Sequence, residues 1–377
     1  MQEPRVRKNV HSGLVLPASS ITVSTMIVIV SKMSLFLDRP KHMMRELGRH
    51  GVFLTIDQTS FESCHYPELM EMVECMIYKH FLRFSDPAIA DALLRSQTGK
   101  QVLRNMQFSP FRWRATFLGR ASGDMTTSLG NFLSNLFVTS FCAAQVGEIP
   151  PFTLIRGFAE GDDSLYRVSS SLSAQRIIEM QKTLGFRPTA DITEDICLAG
   201  FCGQYFTAAG EVVFDPVKAL LVQPWFLGRI QNEARKLELL RGVGYSLLYN
   251  GPQNPVTSVM AKTILAQTTG HRCVMQGNEW WLRNVLGVDR THPELNKEVL
   301  ALNNLPIPYE ARLLVAHKWG LDPDTQILLE KLVSEVDWRA PGIIECPILA
   351  EVVKQRFPHT LALWPKLVRL WDTVGCY

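Results

Sequence analysis

Apolar periodicity divides the chain into a mixed first part and a helical second part. Pro40 to Arg49 reads as a helix, and the apolar run Gly51 to Ile56 as a buried strand ending at Asp57. Pro67 to Phe84 has helical spacing, with Leu69, Met70, Val73, Met76, Ile77 and Phe81 on one face and proline in the first turn. Phe111 to Leu118 alternates: Phe111, Trp113, Ala115 and Phe117 on one side, Arg112, Arg114 and Thr116 on the other. The stretch after Arg120 opens on small residues and continues as a mostly apolar helix. Two strand-like runs, Phe152 to Phe158 and Ser164 to Val168, flank Gly161-Asp162-Asp163 and predict a hairpin. A helix from Ser173 to Leu184 and short strands within Ile196 to Phe206 and Glu211 to Phe214 follow. From Pro216 the pattern is helix after helix: Arg229 to Leu240, Pro255 to Gln267, Tyr309 to Lys318, Asp324 to Val336 and Pro347 to Gln355.

With 377 residues and 46% hydrophobic content, the chain has the length and apolar fraction of two or three globular modules. Its formal charge of +3 announces no nucleic-acid partner. The distribution is less even. Residues 1–50 hold eight Lys or Arg against three acids, and Lys100 to Arg120 contains no acid. Eight cysteines (Cys64, Cys75, Cys142, Cys197, Cys202, Cys273, Cys346 and Cys376) form no CxxC pair, which argues against structural zinc and for free thiols. Ile21 to Leu37 is apolar but broken by Ser24, Thr25, Ser31 and Lys32, and its β-branched content reads as buried strand rather than membrane span.

The hairpin turn is the first candidate for chemistry. Asp is a common turn residue, so Gly-Asp-Asp alone is weak. Two further features stand in order with it: Asp57 at a strand end within TIDQTSFES, and Ser122-Gly123 opening a helix with Thr127 and Asn131 four residues apart. The chemistry that needs all three is nucleotidyl transfer by two metal ions held by carboxylates from different strands. The cationic front of Arg112 and Arg114 suits phosphate tracking and suits a solvated outer face equally.

At these residues the sequence resembles the viral RNA-dependent RNA polymerases of positive-strand viruses, nearest the tombusvirus-like and related invertebrate-virus group. DQTSFES resembles motif A, GRASGDMTTSLGN motif B and GDD motif C, while LGFRP (Leu184 to Pro188) and AGFCGQYF (Ala199 to Phe206) resemble motifs D and E. The resemblance implies an α+β right-hand polymerase fold: partial fingers over 1–50, a palm with antiparallel sheet over 51–215 carrying a fingers insertion at 85–118, and a helical thumb over 216–377. It implies Asp57, Asp162 and Asp163 as catalytic metal ligands for Mg2+, with Mn2+ as substitute. Glu62, Thr127 and Asn131 would meet the ribose 2′-hydroxyl, and Ser122 and Gly123 the template base. Arg112, Arg114, Arg120, Cys202 and Gly203 would contact RNA. The implied partners are template and primer or nascent RNA, nucleoside triphosphates and other viral replication proteins. The implied location is host cytoplasm at membrane-associated replication sites.

Glu62 stands where the family usually has Asp, a longer carboxylate that still reaches a ribose hydroxyl. Motif D offers Arg187 and no clear lysine, and arginine is a poor proton donor. Arg5, Arg7 and Lys8 form no recognisable motif F, so incomplete fingers are expected. Two rivals share the features: a reverse transcriptase, disfavoured because Glu62 and Asn131 welcome a 2′-hydroxyl, and a truncated, non-catalytic RNA-binding remnant.

Overall fold

The computed structural model describes residues 39–98, 103–108, 111–116, 120, 126–222, 232–273, 301–339 and 346–358. Ile21 to Leu37, Ser122 and Gly123 lie outside them. The chain divides into two compact units, residues 41–202 with 1–34, and residues 203–377 with 35–40. Mixed helix and antiparallel sheet fill the first, as the periodicity predicts.

Four strands form its sheet in the order β4-β5-β1-β6: β1 His50–Gln58, β4 Gly157–Glu160, β5 Asp163–Val168 and β6 Pro188–Asp195. All neighbours are antiparallel, with Ile56 opposite Ser164 and Asp57 opposite Thr189. Asp57 lies inside its strand, one residue before the end, because β6 pairs through Gln58. β4 and β5 are joined by the two-residue turn Gly161-Asp162, with Gly161 at φ +65° as a primed hairpin turn requires of its first residue. Gly157 has a different duty: a Cβ there would collide with the Leu165 carbonyl and Tyr166.

Helices α5 (Thr127–Gln145) and α6 (Ser171–Thr183) cover one face of this sheet. Leu54, Ile56 and Tyr166 from the strands meet Phe132, Leu133, Leu136 and Ile177 from the helices in one buried core. α6 starts where Ser170 Oγ accepts from Ser173 N at 3.1 Å. It stops at Gly185, φ +90°, after which Phe186 turns back into the core.

The segment Pro67 to Phe84 departs from the expected single-faced helix. It runs as α2 (Pro67–Met70), a π turn (Glu71–Cys75) and α3 (Met76–Leu82). A π turn holds one residue more than an α turn, which displaces the periodic face beyond it. Met76 and Phe81, expected inside, are 61% and 50% exposed, while Glu74 is fully buried. α1 (Arg39–Leu47) precedes the sheet, and α4 (Pro87–Thr98) leads to a hairpin of β2 (Leu103–Phe108) and β3 (Phe111–Thr116).

The second unit carries a short hairpin, β7 (Gln204–Phe206) with β8 (Val212–Phe214), and helices α7 (Pro216–Val222), α8 (Glu233–Asn250), α9 (Thr257–Gln267), α10 (Tyr309–Trp319), α11 (Pro323–Glu335) and α12 (Pro347–Arg356). α8 continues ten residues past Leu240, through Gly242 and Gly244. At Gly244 the missing Cβ lets α9 approach, since a methyl there would sit 3.0 Å from Ile264 and Leu265 carbons. Buried Arg241 caps that contact, donating to Leu265 O at 2.9 Å and Thr268 Oγ1 at 3.3 Å. Arg312 grips Glu330 through two bonds of 2.8 and 2.9 Å, tying α10 to α11. Among the described residues no helix is long and apolar enough to cross a membrane, and none of the seven cysteines there is in a disulfide.

Candidate active site

Antiparallel pairing of β1 with β5 brings Asp57 and the hairpin turn together across more than a hundred residues of sequence. The ladder pairs Ile56 with Ser164, and one further step of that register sets Asp57 beside Asp163. Side chains alternate along a strand, so Ile56 and Ser164 face α5 while Asp57 and Asp163 share the opposite face. Asp57 is exposed, and Asp162 and Asp163 are half-buried. The convergence bears on the acidity of Asp162. Burial pushes its carboxyl above the ordinary carboxylate range, and the negative charges of Asp57 and Glu62 push it the same way, against a backbone hydrogen bond that lowers it. These carboxylates repel one another in the protein alone.

Glu62 follows β1 in a short 3-10 turn, Phe61–Cys64, seated by buried Phe61 against Phe186, ring centroids 5.9 Å apart. Asn131, on the first turns of α5 and 3% exposed, donates from Nδ2 to Glu62 Oε1 at 3.4 Å. Its Oδ1 is buried with no hydrogen-bond partner among the described residues. A half-open carboxylate beside an unsatisfied amide oxygen accepts a hydroxyl donor from outside. Thr127, one turn earlier on α5, is half-buried.

Cys202 and Gly203 both take left-handed backbone, φ +53° and +69°, and form a tight turn. Cys202 Sγ lies 3.7 Å from Glu160 Oε2, at the foot of the Gly161-Asp162 turn. Arg112 and Arg114 occupy β3 register positions opposite Gln107 and Asn105.

Arg120 corrects the expectation of an RNA contact. It is 2% exposed, ion-paired to fully buried Glu74, and donates from Nη1 to Thr126 O at 3.0 Å. A guanidinium enclosed in this way has no open path to a phosphate; its place is structural. Glu74 also accepts from Ser134 Oγ at 3.3 Å and Tyr78 OH at 3.4 Å. Gly130 packs directly on the pair, and a Cβ there would collide with both Arg120 and Glu74. Gly130→Ala is expected to destabilise the fold by about 1–3 kcal/mol, the usual cost of overpacking a closed site; thermal melting measures it, and an unchanged midpoint would show that the pair yields freely.

Sequence reading also missed Asn135. It is 1% exposed and donates from Nδ2 to Asp162 O at 2.8 Å and Gly161 O at 3.3 Å. The spacing that singles out Thr127 and Asn131 continues in steps of four to Asn135 and Thr139, which was the available signal.

Among the described residues no three His, Cys, Asp or Glu side chains gather as a ready-made metal cage. Magnesium demands less: one or two carboxylates suffice when water and substrate phosphates fill the other positions. Asp57 and Asp162, mutually repelling and accessible, fit that requirement.

The decisive comparison is with protein families. Residues 29–225, just over half of the chain, match the model of the viral RNA-dependent RNA polymerases. The chain belongs to that family. This polymerase carries its match across the whole four-stranded sheet, α5, α6 and the turn at Cys202. No curated protein matches it. As an RNA-directed RNA polymerase it synthesises RNA on an RNA template. The tombusvirus-like kinship read from the motifs stays a resemblance.

Proposed function

We propose that the first unit contains the palm of a right-hand polymerase, with Asp57 and Asp162 holding the catalytic Mg2+ and Asp163 assisting, and that the second unit serves as the thumb. The observation carrying this reading is the convergence of Asp57, on β1, with the Gly161-Asp162 turn of the β4–β5 hairpin, where burial and the carboxylates of Asp57 and Glu62 hold the Asp162 carboxyl above its ordinary range. Divalent cations supply activation of the attacking 3′-hydroxyl and stabilisation of the leaving pyrophosphate. The chain's own part is to hold Asp57 and Asp162 at one point and to orient the incoming nucleotide. Glu62 and Asn131 take the ribose 2′-hydroxyl, which donates to the half-exposed Glu62 carboxylate and accepts from Asn131 Nδ2. Ser122 and Gly123 border the template base, and the Cys202-Gly203 turn supports the primer end. Mn2+ suits the same oxygen ligands.

The test is single-nucleotide extension of a primed RNA template by the full chain, with ribonucleotides and deoxyribonucleotides compared. RNA bound without extension under Mg2+ and Mn2+ would favour the non-catalytic RNA-binding reading. Asn131→Ala is expected to slow ribonucleotide addition far more than deoxyribonucleotide addition, narrowing the preference by about 1–3 kcal/mol, the worth of one buried polar partner. Equal slowing of both sugars would make Asn131 a packing residue.

Arg112 and Arg114 are proposed to contact phosphates from β3. Arg112→Gln with Arg114→Gln is expected to lower the slope of log affinity against log salt by about 1.4, at roughly 0.7 per single-strand phosphate. An unchanged slope assigns both arginines to a solvated face.

A further inference from the structure

A buried polar chain crosses the core beneath the sheet, where apolar packing is the default. Asn135 is its hub. From α5 its Nδ2 donates to the carbonyls of Gly161 and Asp162, at 3.3 and 2.8 Å. Its Oδ1 accepts from Thr139 Oγ1 at 3.3 Å, Ser164 Oγ at 3.4 Å and Tyr166 OH at 3.5 Å. Thr139 Oγ1 in turn accepts from Gln181 Nε2 at 2.9 Å, and Gln181 Oε1 accepts from Gln58 Nε2 at 2.7 Å. Gln58 is the residue after Asp57. Every member of this chain is at most 3% exposed.

Buried amides are costly unless their atoms find partners, and in this chain all do but Gln58 Oε1, so the chain specifies geometry more than it adds stability. Its two ends locate its effect. One end holds the carbonyls of the Gly161-Asp162 turn, which point away from the strand ladder and need donors from elsewhere. The other end holds the side chain next to Asp57. Between them lie only side chains of α5 and α6.

We propose that Asn135 is a positioning residue: through Thr139, Gln181 and Gln58 it fixes the Gly161-Asp162 turn against the strand end bearing Asp57, and so sets the separation of the two carboxylates. The inference rests on the reading of Asp57 and Asp162 as the metal-holding pair. A variant shows the difference from ordinary packing. Asn135 touches the main chain of the turn and neither carboxylate, and Gln181 touches neither the turn nor a carboxylate.

Asn135→Ala and Gln181→Met are to be compared with the native full chain by amide hydrogen exchange and by Mn2+ binding, read from the electron spin resonance of free Mn2+. Each protein is measured equally far below its own melting temperature. Asn135→Ala is expected to speed exchange over Gly161 to Ser164 about tenfold and to weaken Mn2+ about as much, the scale of one or two net hydrogen bonds. Gln181→Met, less exposed to folding failure because it keeps shape and burial, is expected to weaken Mn2+ in the same direction while leaving both carboxylates untouched. Native-like turn exchange and Mn2+ affinity in both variants at matched stability would overturn the proposal and leave the chain as packing. If the native protein binds no Mn2+, the metal reading fails by itself, and exchange at the turn alone decides whether Asn135 clamps it.

Discussion

Asp162→Asn is expected to abolish nucleotide incorporation and, in the absence of divalent cation, to raise the melting temperature at neutral pH. The loss of activity follows from the proposed metal role: several kcal/mol of charge stabilisation disappear, a thousandfold or more at about 1.4 kcal/mol per decade. The gain in stability follows from the repulsion around this turn. Burial and the charges of Asp57 and Glu62 hold the Asp162 carboxyl above its ordinary value of 3.8. A carboxyl whose folded pKa is raised binds its proton more tightly in the folded state than in the unfolded one. Stability from this group is therefore greatest below the ordinary carboxylate range and declines as pH rises through the raised folded value. Asparagine carries no charge and escapes that decline. The melting advantage of the variant should appear above this window and vanish below it. Mg2+ should reverse the order, raising the native midpoint by offsetting the repulsion while leaving the variant's unchanged. A variant that polymerises at near-native rate, or that melts lower than the native chain at neutral pH without metal, would remove Asp162 from the metal site.

The parts of this architecture that were legible in the sequence are those that local chemistry determines. A charged turn between two β-branched runs has few other folds, so the β4–β5 hairpin stood out, although its first strand begins at Gly157 and not at Phe152; β1 stood out too, with Asp57 one residue before its end. Helix α11 was legible from the pattern of Asp324 to Val336, and the structure adds its cap, Asp322 Oδ1 accepting from Thr325 N at 3.0 Å. What escaped were features that depend on partners far away in sequence. The apolar spacing of Pro67 to Phe84 fits a regular helix, and nothing local indicates that Glu74 will be drawn inward. Arg120, in a basic stretch, looked like a phosphate contact for the same reason: its partner lies some forty-six residues earlier. Asn135 could have been noticed from the four-residue spacing of polar groups on an apolar helix. Its meaning, though, comes from the carbonyls it meets, and those are set by how the hairpin docks. The expected helix ended at Leu240, whereas α8 runs on through Gly242 and Gly244, and Gly244 admits the close approach of α9.

Glu74→Gln is expected to be the most destabilising single change among those considered, by about 3–5 kcal/mol, because it leaves the Arg120 guanidinium buried without a counter-charge. Both side chains are essentially inaccessible, at 1% and 0% exposure, so water cannot replace the lost carboxylate. Ser134 and Tyr78 donate to different oxygens of Glu74, so glutamine keeps an acceptor for one and can only donate to the other hydroxyl; the stranded charge remains the larger part of the loss. Burial and the neighbouring Glu74 charge raise the pKa of the Tyr78 phenol, so Tyr78 stays a neutral donor throughout the accessible pH range. Replacing both members, Glu74→Leu with Arg120→Met, should recover much of the loss, since a well-packed apolar pair of similar volume substitutes for a buried ion pair at little cost. The double variant separates stability from function. Arg120 Nη1 also donates to Thr126 O, a bond that joins the two ends of the stretch containing Ser122 and Gly123. Methionine cannot make it. If that tie matters for the template side of the reaction, the double variant should melt close to the native protein yet extend primers at least about tenfold more slowly, the net worth of a charged hydrogen bond. Native-like extension by the double variant would confine the pair to folding, and a double variant as unstable as Glu74→Gln would show that the cost lies in packing around Gly130 and not in the stranded charge.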